Sequence, residues 1–273
     1  MARVAAIQMT SSPDVGANLR AAGELLARAA DAGAAIAALP ENFAWMGRDS
    51  GPQQDDRRAV MEKDGQGPIQ DFLAGAAARH KLWVVGGTVP IESGRDARAC
   101  AACLAFDAGG KRVARYDKIH LFDVHVPDKD EHYRESASIS PGTAPVVVDT
   151  PAGKLGLSVC YDVRFPELFR RLSAAGAEWF CLPSAFTAPT GRAHWETLLR
   201  ARAIENLAYL VAPAQAGFHV NGRETYGDTL IVDFWGRVLE RLPRGTGVVT
   251  ADFDPKRQAD ARARFPALSH RVM

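Results

Sequence analysis

The sequence predicts an α/β fold, built as one domain over residues 1–273 with helices outside and sheet inside. Three observations predict it. Short apolar runs that are typical of buried strands alternate with segments in which apolar residues recur at helical spacing. Pairs of alternating segments flank turn signals, which indicates antiparallel hairpins and argues against a purely doubly wound sheet. Linkers, repeats and low-complexity segments are absent from the 273 residues.

The N-terminal half contains the clearest alternation of strand and helix patterns. After a first apolar run, Leu19, Ala22 and Leu25 recur at helical spacing. A second apolar run stops at Pro40, and a third is apolar throughout, which is typical of a strand covered on both faces. The predicted elements are a strand over residues 4–8, a helix over 18–34, strands over 35–39 and 82–89, and a hairpin over 98–118 that turns at 107–110.

The C-terminal half continues the pattern after a segment that looks irregular. Residues 48–67, rich in Gly, Asp, Gln and Arg, predict a long loop, and loops of that length are usually functional or mobile. Pro166 suits the first position of a later helix. The predicted elements are strands over 145–149 and 154–160, a helix over 166–175, a strand over 178–182, a helix over 193–207, a strand over 209–213 and a hairpin that turns at 234–236.

Bulk charge and cysteine content indicate a protein of the cytoplasm that acts on a small molecule. Lys and Arg number 33 against 32 Asp and Glu, so nothing in the charge suggests a nucleic-acid or anionic-membrane partner. The four cysteines are few for this length, and the opening stretch MARVAAIQMTS lacks the apolar region of a leader. No apolar run approaches the ~20 residues that span a bilayer. We therefore expect a cytoplasmic location and no membrane partner.

Cys100 and Cys103 form a CxxC motif, which in other contexts binds zinc or carries out redox exchange. They lie in the run RACAACLAF, which has the pattern of a strand. Cysteines three apart on a strand point to opposite faces, which suits neither a zinc site nor a redox pair. Both are expected to be small core residues.

The strongest local signal for chemistry surrounds Cys160. The segment GLSVCYDVRFPE places this cysteine at the end of a predicted strand and before a predicted helix. That position projects a side chain from the rim of the sheet, where α/β folds bind their ligands, and the turn presents backbone N–H groups that suit an oxyanion hole. A nucleophile and a buried structural cysteine are both compatible with this pattern.

Two other predicted strand ends supply charged candidates, Glu41 and Lys118. A carboxylate and an ammonium beside a cysteine can act as a general base and as a fixed positive charge. A thiolate next to an ammonium is also expected to have a lowered pKa. Taken singly, a Glu after a Pro or a Lys after a strand is more often a solvated loop residue.

Histidines offer a competing interpretation, either a metal site or a papain-like Cys–His pair. His120 and His125 lie in the segment HLFDVH, and His194 begins a predicted helix. Two histidines five apart converge only through a bent loop, and no further His/Cys pair at ligand spacing completes a site. We therefore predict no metal, and we interpret His194 as a hydrogen-bonded residue rather than a base.

Three segments, in this order, carry a family resemblance: LPE with Glu41, YDKIHLF with Lys118 and VCYDVRFPE with Cys160. Together they resemble the nitrilase superfamily of carbon–nitrogen hydrolases, whose triad is Glu-Lys-Cys. The likeness extends over essentially the whole chain. It is strongest to the Nit branch, through the segments PSAF, TG, AHWE, RARAIEN and YGD between residues 183 and 228.

The resemblance implies a four-layer αββα sandwich of the nitrilase type, whose subunits commonly pair into homodimers or higher homo-oligomers. It implies that Cys160 attacks the carbonyl to form a thioester, that Glu41 transfers the proton to the leaving amine, and that Lys118 stabilises the oxyanion. The backbone N–H of Tyr161 is the expected second oxyanion donor. A further glutamate that contacts the lysine in the family corresponds to Glu135. No metal or organic cofactor is implied.

The resemblance also narrows the substrate to a small-molecule amide that bears a carboxylate. Similar members of the Nit branch act on deaminated glutathione, or as ω-amidases on 2-oxoglutaramate and 2-oxosuccinamate, all of them 2-oxo acids with a distal amide. Arg164 is the expected carboxylate ligand, because a guanidinium binds a carboxylate through two parallel bonds. A structural salt bridge is the alternative role of Arg164. Tyr161 and His194 complete the predicted substrate-binding set.

Two segments favour deaminated glutathione over the ω-amidase substrates: CYDVRFPEL around the cysteine and LRARAIE in the later helix. The loop over residues 218–223 is a further candidate for contact with the bulkier leaving portion. The alternatives are an ω-amidase, a nitrilase, an N-carbamoyl amide hydrolase and a scaffold that uses the fold without catalysis.

Overall fold

The computed structural model describes residues 1–47, 56–126 and 131–272, and its first large sheet has seven strands. These strands are β1 Ala2–Gln8, β2 Ile36–Leu39, β3 Trp83–Gly86, β4 Val89–Glu92, β5 Ala99–Phe106, β6 Arg112–Asp117 and β17 Gly247–Phe253. The order is β17-β1-β2-β3-β5-β4, and β6 also pairs with β5. The central strands β1, β2 and β3 run parallel, and the outer pairs are antiparallel.

The second large sheet has six strands within the described ranges. They are β9 Val146–Thr150, β10 Gly153–Leu157, β11 Trp179–Cys181, β12 Tyr209–Ala212, β15 Thr229–Val232 and β16 Val238–Leu242, in the order β16-β15-β12-β11-β10-β9. The described residues also form two small antiparallel strand pairs, β7 Asp123–Val126 with β8 Glu131–Arg134, and β13 Ala216–Phe218 with β14 Glu224–Tyr226.

The helices of the described ranges cover the outer faces of the two sheets. Along β1, Ala5 and Ile7 pack in a core with residues of the first two helices, whereas Val4 and Ala6 pack in a second core with residues of the other sheet. This alternation is the two-residue period of a strand that is buried on both faces. The predicted four-layer αββα arrangement is therefore confirmed. The helices are α1 Val15–Asp31, α2 Pro68–His80, α3 Pro166–Ala174, α4 Ala188–Asn206 and α5 Pro255–Arg264.

Most predicted elements are confirmed. The predicted hairpin turns at 107–110 and 234–236 join antiparallel partners, and so does the connection between the strands predicted over 145–149 and 154–160. The single strand predicted over 82–89 is wrong, because β3 ends at Gly86 and β4 begins at Val89. Gly87 lies between them with φ +51, and a Cβ there would stand 2.0 Å from the carbonyl oxygen of Pro40. The strand is therefore interrupted where its backbone comes close to Pro40, the residue before Glu41.

Other boundaries also differ from the sequence prediction, and the helix predicted over 18–34 is found at Val15–Asp31. The strand predicted over 154–160 ends at Leu157, and the helix predicted from residue 193 begins at Ala188, with Pro189 in its first turn. Helix α2 was not predicted, although Ile69, Leu73 and Ala76 recur at helical spacing. Of the loop predicted over 48–67, residues 48–55 lie outside the described ranges, and Asp56–Val60 forms a 3-10 helix.

The structure bears on two points raised by the sequence, the cysteines other than Cys160 and the possibility of a membrane-spanning helix. Cys100 and Cys103 lie buried on β5 as free thiols, so their prediction as core residues is confirmed, and Cys181 is likewise buried on β11. Within the described ranges, every helix is too short or too polar to cross a membrane. That residues 1–273 form a single domain stays a prediction.

Candidate active site

Glu41 follows β2 directly and is buried, with 5% of its surface exposed. Its Oε1 accepts a bond from Lys118 Nζ at 2.9 Å, and its Oε2 accepts from the backbone N–H of Ala185 at 2.8 Å. Its own carbonyl accepts from the Gln215 side chain at 3.0 Å. Both carboxylate oxygens are therefore held in place by donors from different elements.

Lys118 follows β6 and lies between two carboxylates. Its Nζ is 2.9 Å from Glu41 Oε1 and 2.9 Å from each carboxylate oxygen of Glu135. The backbone N–H of Phe122 donates to Glu135 Oε2 at 2.6 Å. The contact that the resemblance implied between Glu135 and Lys118 is present, and Glu135 fixes the position of the ammonium.

In this buried cluster, each charged group stabilises the charged form of its neighbour. Burial alone lowers the pKa of Lys118, but Glu135 and Glu41 together raise it above its ordinary value. Burial raises the pKa of Glu41, but the charge and hydrogen bond of Lys118 lower it below its ordinary value. Because the two shifts favour the charged forms, Glu41 is a carboxylate and Lys118 an ammonium at neutral pH.

Cys160 stands at the start of a 3-10 helix, Cys160–Arg164, in the turn between β10 and α3. Its φ is +45, a left-handed conformation that is uncommon outside glycine, and its N–H donates to the carbonyl of Pro183 at 2.9 Å. It is 7% exposed, whereas Cys103 and Cys181 are fully buried. The turn therefore directs this thiol into the site.

The expected lowering of the Cys160 pKa is wrong. Burial raises the pKa of the thiol and the negative charge of Glu41 raises it further, which outweighs the opposing effect of Lys118. The Glu41 carboxylate lies within hydrogen-bonding reach of the thiol. Because Lys118 is already neutralised by two carboxylates, it cannot hold a thiolate at rest, and the arrangement suits proton transfer to Glu41 during attack.

Asp162 is a residue of the site that the sequence patterns did not reveal. It is fully buried, and its carboxylate accepts bonds from Tyr116 Oη at 2.7 Å and Val159 N at 2.8 Å. It also contacts His120 through the backbone N–H at 3.2 Å and Nδ1 at 2.7 Å. Asp162 thus joins the turn of Cys160 to the chain segment around Lys118.

We expect Asp162→Asn to destabilise the protein by about 2 kcal/mol or more, because hydrogen bonds to a buried charged acceptor are worth about 1.5–3 kcal/mol each. Urea unfolding followed by circular dichroism measures the change. Asp149→Asn, at an exposed position of β9, is the matched control and should be nearly neutral. An equal stability of the two variants would contradict this role.

The histidines do not assemble into a metal site. His120 is engaged by Asp162 and stacks on Phe165, with ring centroids 3.7 Å apart. His125 and His132 stack on each other across the β7–β8 hairpin at 4.1 Å. In the part of the chain that the structure describes, no group of three or more His, Cys, Asp or Glu side chains could hold a metal ion. The absence of a metal or cofactor requirement stays a prediction.

One cavity opens onto Glu41, Lys118 and Cys160, and its wall also includes Glu135 and Tyr161. The predicted candidate Tyr161 therefore lies at the cavity together with all four of the predicted catalytic residues. The structure brings these five side chains together from four separate segments of the chain.

Arg164 and His194 are placed differently from the other candidates. The Arg164 guanidinium lies over the rings of Tyr161 and Phe186, at 5.8 and 5.4 Å from their centroids, and its Nη atoms are 3.3 and 3.4 Å from His194 Nδ1. These two residues do not line the cavity wall. The alternative of a salt bridge between Arg164 and an acidic neighbour is not seen among these contacts, and binding of substrate by Arg164 or His194 stays a prediction.

Three arginines on the cavity wall were not found from the sequence: Arg57, Arg134 and Arg223. Among the described residues of the wall, these arginines and Lys118 face two acidic side chains, both of which bind Lys118. The excess of positive charge favours an anionic ligand. Arg223 belongs to the predicted 218–223 loop and Arg57 to the predicted 48–67 loop, and these two loops were the sequence features that could have indicated arginines at the site.

Comparisons with known proteins agree with this geometry. The family model described as carbon-nitrogen hydrolase matches residues 3–263. A deaminated glutathione amidase of Synechocystis sp. (strain PCC 6803 / GT-S) is 41% identical over 271 residues, which cover 98% of this chain and 97% of that protein. The sequence similarity therefore extends through every element that contributes to the cavity.

Solved structures show the same fold. Nit3 of Saccharomyces cerevisiae, a member of branch 10 of the nitrilase superfamily, is 30% identical, with a TM-score of 0.87 over 100% of this chain and 97% of that one. A mutant amidase of Nesterenkonia sp. AN1, with the acetamide moiety of fluoroacetamide covalently added at its active-site cysteine, is 27% identical. Its TM-score is 0.81 over 99% of this chain and 94% of that one.

Proposed function

The chain belongs to the carbon–nitrogen hydrolase family, and from this premise we propose that Cys160 is its nucleophile, Glu41 its general acid and base, and Lys118 its oxyanion ligand. The enzyme is an amidase of the Nit branch of the nitrilase superfamily. One observation carries the assignment of roles. The buried Glu41–Lys118–Glu135 network and the left-handed turn at Cys160 meet at a single cavity.

The first half-reaction forms a thioester. The Cys160 sulfur attacks the amide carbonyl while its proton passes to Glu41, and the negative charge that develops on the carbonyl oxygen is stabilised by Lys118 and the N–H of Tyr161. Glu41 then gives the proton to the amide nitrogen as the C–N bond breaks. The amine leaves, and the acyl group remains on sulfur.

The second half-reaction releases the acid. Water enters the place of the amine and loses a proton to Glu41 as it attacks the thioester carbonyl. Lys118 stabilises the second oxyanion, the C–S bond breaks, and the sulfur recovers the proton. Glu135 keeps Lys118 charged and fixed throughout, so the ammonium needs no reorientation between the two steps.

The substrate in this proposal is deaminated glutathione, a 2-oxo acid whose distal amide nitrogen carries the Cys-Gly dipeptide. Two facts support it: the excess positive charge among the described wall residues suits a substrate with a carboxylate at each end, and the relative with 41% identity is a deaminated glutathione amidase. The predicted homo-oligomer, the cytoplasmic location and the absence of nucleic-acid and membrane partners stay predictions.

We expect iodoacetamide to modify Cys160 first, in one fast step, because this thiol opens to the cavity and has Glu41 as its proton acceptor. Intact-mass analysis with peptide mapping measures the site. The three other cysteines, each at most 1% exposed, serve as internal controls and should react only after unfolding. Fast labelling at Cys100, Cys103 or Cys181 with activity retained would remove the proposed nucleophile.

We expect a higher kcat/KM for deaminated glutathione than for 2-oxoglutaramate, by about ten-fold or more. Remote contacts with the leaving group stabilise the transition state, and a truncated substrate forfeits them, at about 1.5–3 kcal/mol for each charged hydrogen bond. Release of 2-oxoglutarate measures both reactions under one set of conditions. Equal rates, or faster release from 2-oxoglutaramate, would assign the enzyme as an ω-amidase and leave the mechanism unchanged.

A further inference from the structure

Arg223 reaches the cavity from the hairpin formed by β13 and β14, and the tip of this hairpin is anchored on both sides. The side chain of Asn221 donates to the carbonyl of Gly47 at 2.6 Å. The ring nitrogens of His219 contact Ser11 O at 2.9 Å and Thr225 Oγ1 at 2.7 Å. These bonds fix the loop that carries Arg223 against the first sheet's side of the cavity.

The guanidinium of Arg223 is held by contacts of two kinds. Its Nη2 donates to the carbonyl of Ala185 at 2.6 Å, and its Cζ lies over the ring of Tyr133 at 5.1 Å from the centroid. Tyr133 also belongs to the cavity wall. A guanidinium that is oriented in advance loses less freedom when it binds a carboxylate through parallel bonds.

Arg223 lies on the Glu41 side of the reaction centre. It binds the carbonyl of Ala185, and the N–H of the same residue donates to Glu41 Oε2 at 2.8 Å. Burial raises the pKa of Glu41 and Lys118 lowers it, and the charge of Arg223 adds to that lowering. Glu41 is the residue that gives a proton to the leaving amine, so the leaving group departs on the side of the cavity where Arg223 lies.

We propose that Arg223 binds the terminal carboxylate of the leaving dipeptide and thereby sets the preference of this enzyme for long amides over amides of ammonia. An ammonia leaving group has no carboxylate and cannot use this contact. The inference rests on the proposed function and adds to it the residue that recognises the leaving group. Arg164, the candidate from the sequence, packs instead over the rings of Tyr161 and Phe186.

The test uses two substrates that differ only in the carboxylate: deaminated glutathione and the same compound with its terminal glycine as a primary amide. 2-Oxoglutarate release gives kcat/KM for each, with the wild type, Arg223→Gln and Arg223→Lys. In the wild type, kcat/KM should be about ten-fold or more higher for the acid than for the amide. In Arg223→Gln the ratio of these two kcat/KM values should fall to near one, and in Arg223→Lys it should be intermediate.

Arg237→Gln, at an exposed turn position, is the matched control and should keep the wild-type ratio. One contrary result is that Arg223→Gln leaves the ratio of kcat/KM for the acid to kcat/KM for the amide unchanged, either with both values intact or with both lowered by the same factor. In either case Arg223 only positions Ala185, and the inference fails. A wild type that hydrolyses both compounds equally also overturns it. A wild type that hydrolyses neither contradicts the proposed substrate instead, so the two failures are distinguishable.

A second measurement needs no variant. Free Cys-Gly dipeptide and its C-terminal amide are compared as product inhibitors of the wild type, with a small neutral amide as the substrate. The acid should inhibit at about one tenth of the concentration or less, because only it carries the carboxylate that Arg223 binds. Equal inhibition by the two compounds overturns the inference even where Arg223→Gln fails to fold.

Discussion

Lys118→Ala lowers kcat by at least ~10²–10⁴-fold, as we expect from the loss of the charge that stabilises the oxyanion in both half-reactions. The structure adds a second consequence. Glu41 and Glu135 both bind Nζ and are largely buried, so the variant leaves two carboxylates facing each other without a cation. Removing one partner of a buried ion pair typically costs about 3–5 kcal/mol of stability.

The two consequences of Lys118→Ala are separated by measurement. Urea unfolding gives the free energy of unfolding, and kcat is measured with deaminated glutathione at a temperature where the variant is folded. Lys111→Ala, at an exposed position of the β5–β6 turn, is the matched control and should change neither quantity. Near-normal turnover by folded Lys118→Ala would show that the oxyanion is stabilised by another group.

Glu41→Gln lowers kcat by ~10²–10⁴-fold while the fold is retained, because the amide is close in shape to the carboxylate but cannot accept the thiol proton. The raised pKa of Cys160 makes this loss severe, since burial keeps the sulfur protonated until a base removes the proton. Glu24→Gln, exposed on α1, is the matched control. Turnover close to wild type would mean that the general base is a different residue.

The pH dependence of kcat/KM is an independent test of Glu41 as the general base. A base loses activity as the pH falls through its pKa, and the pKa of Glu41 lies below its ordinary value of 4.5. The acid limb of kcat/KM in the wild type should therefore lie below pH 4.5, provided that circular dichroism shows the protein still folded there. An acid limb near neutral pH would contradict the pairing of Glu41 with Lys118.

The positions of the catalytic candidates were predictable from local patterns. An apolar run that stops at Pro40 places Glu41 at a strand end, and a hairpin signal at 107–110 places Lys118 just beyond the second hairpin strand. These inferences need only residue types and short-range periodicity. The αββα layering and the contact between Glu135 and Lys118 came from the family resemblance, since residues 17 apart have no local pattern that joins them.

Other features of the site depend on contacts that no local pattern contains. Asp162 appeared in the motif around Cys160, yet its role arises from a carboxylate that binds Tyr116 and His120 across the two sheets. The cavity arginines come from three distant places in the chain, and the sequence patterns had singled out the loops of Arg57 and Arg223 but none of these arginines as a ligand. A charged residue has the same local pattern whether it faces solvent or a cavity, so sequence periodicity cannot distinguish the two.

The sequence by itself determined the α/β class, the strand ends next to Glu41 and Lys118, the strand-to-helix connection of Cys160, and the resemblance that joins these residues, because all of these depend on residue type and order. Only the tertiary structure decided the direction of the Cys160 pKa. That direction depends on how deeply the thiol is buried and on how far two carboxylates already neutralise Lys118. Electrostatic free energies vary with distance and local dielectric, and both are set by packing between segments that are remote in the chain.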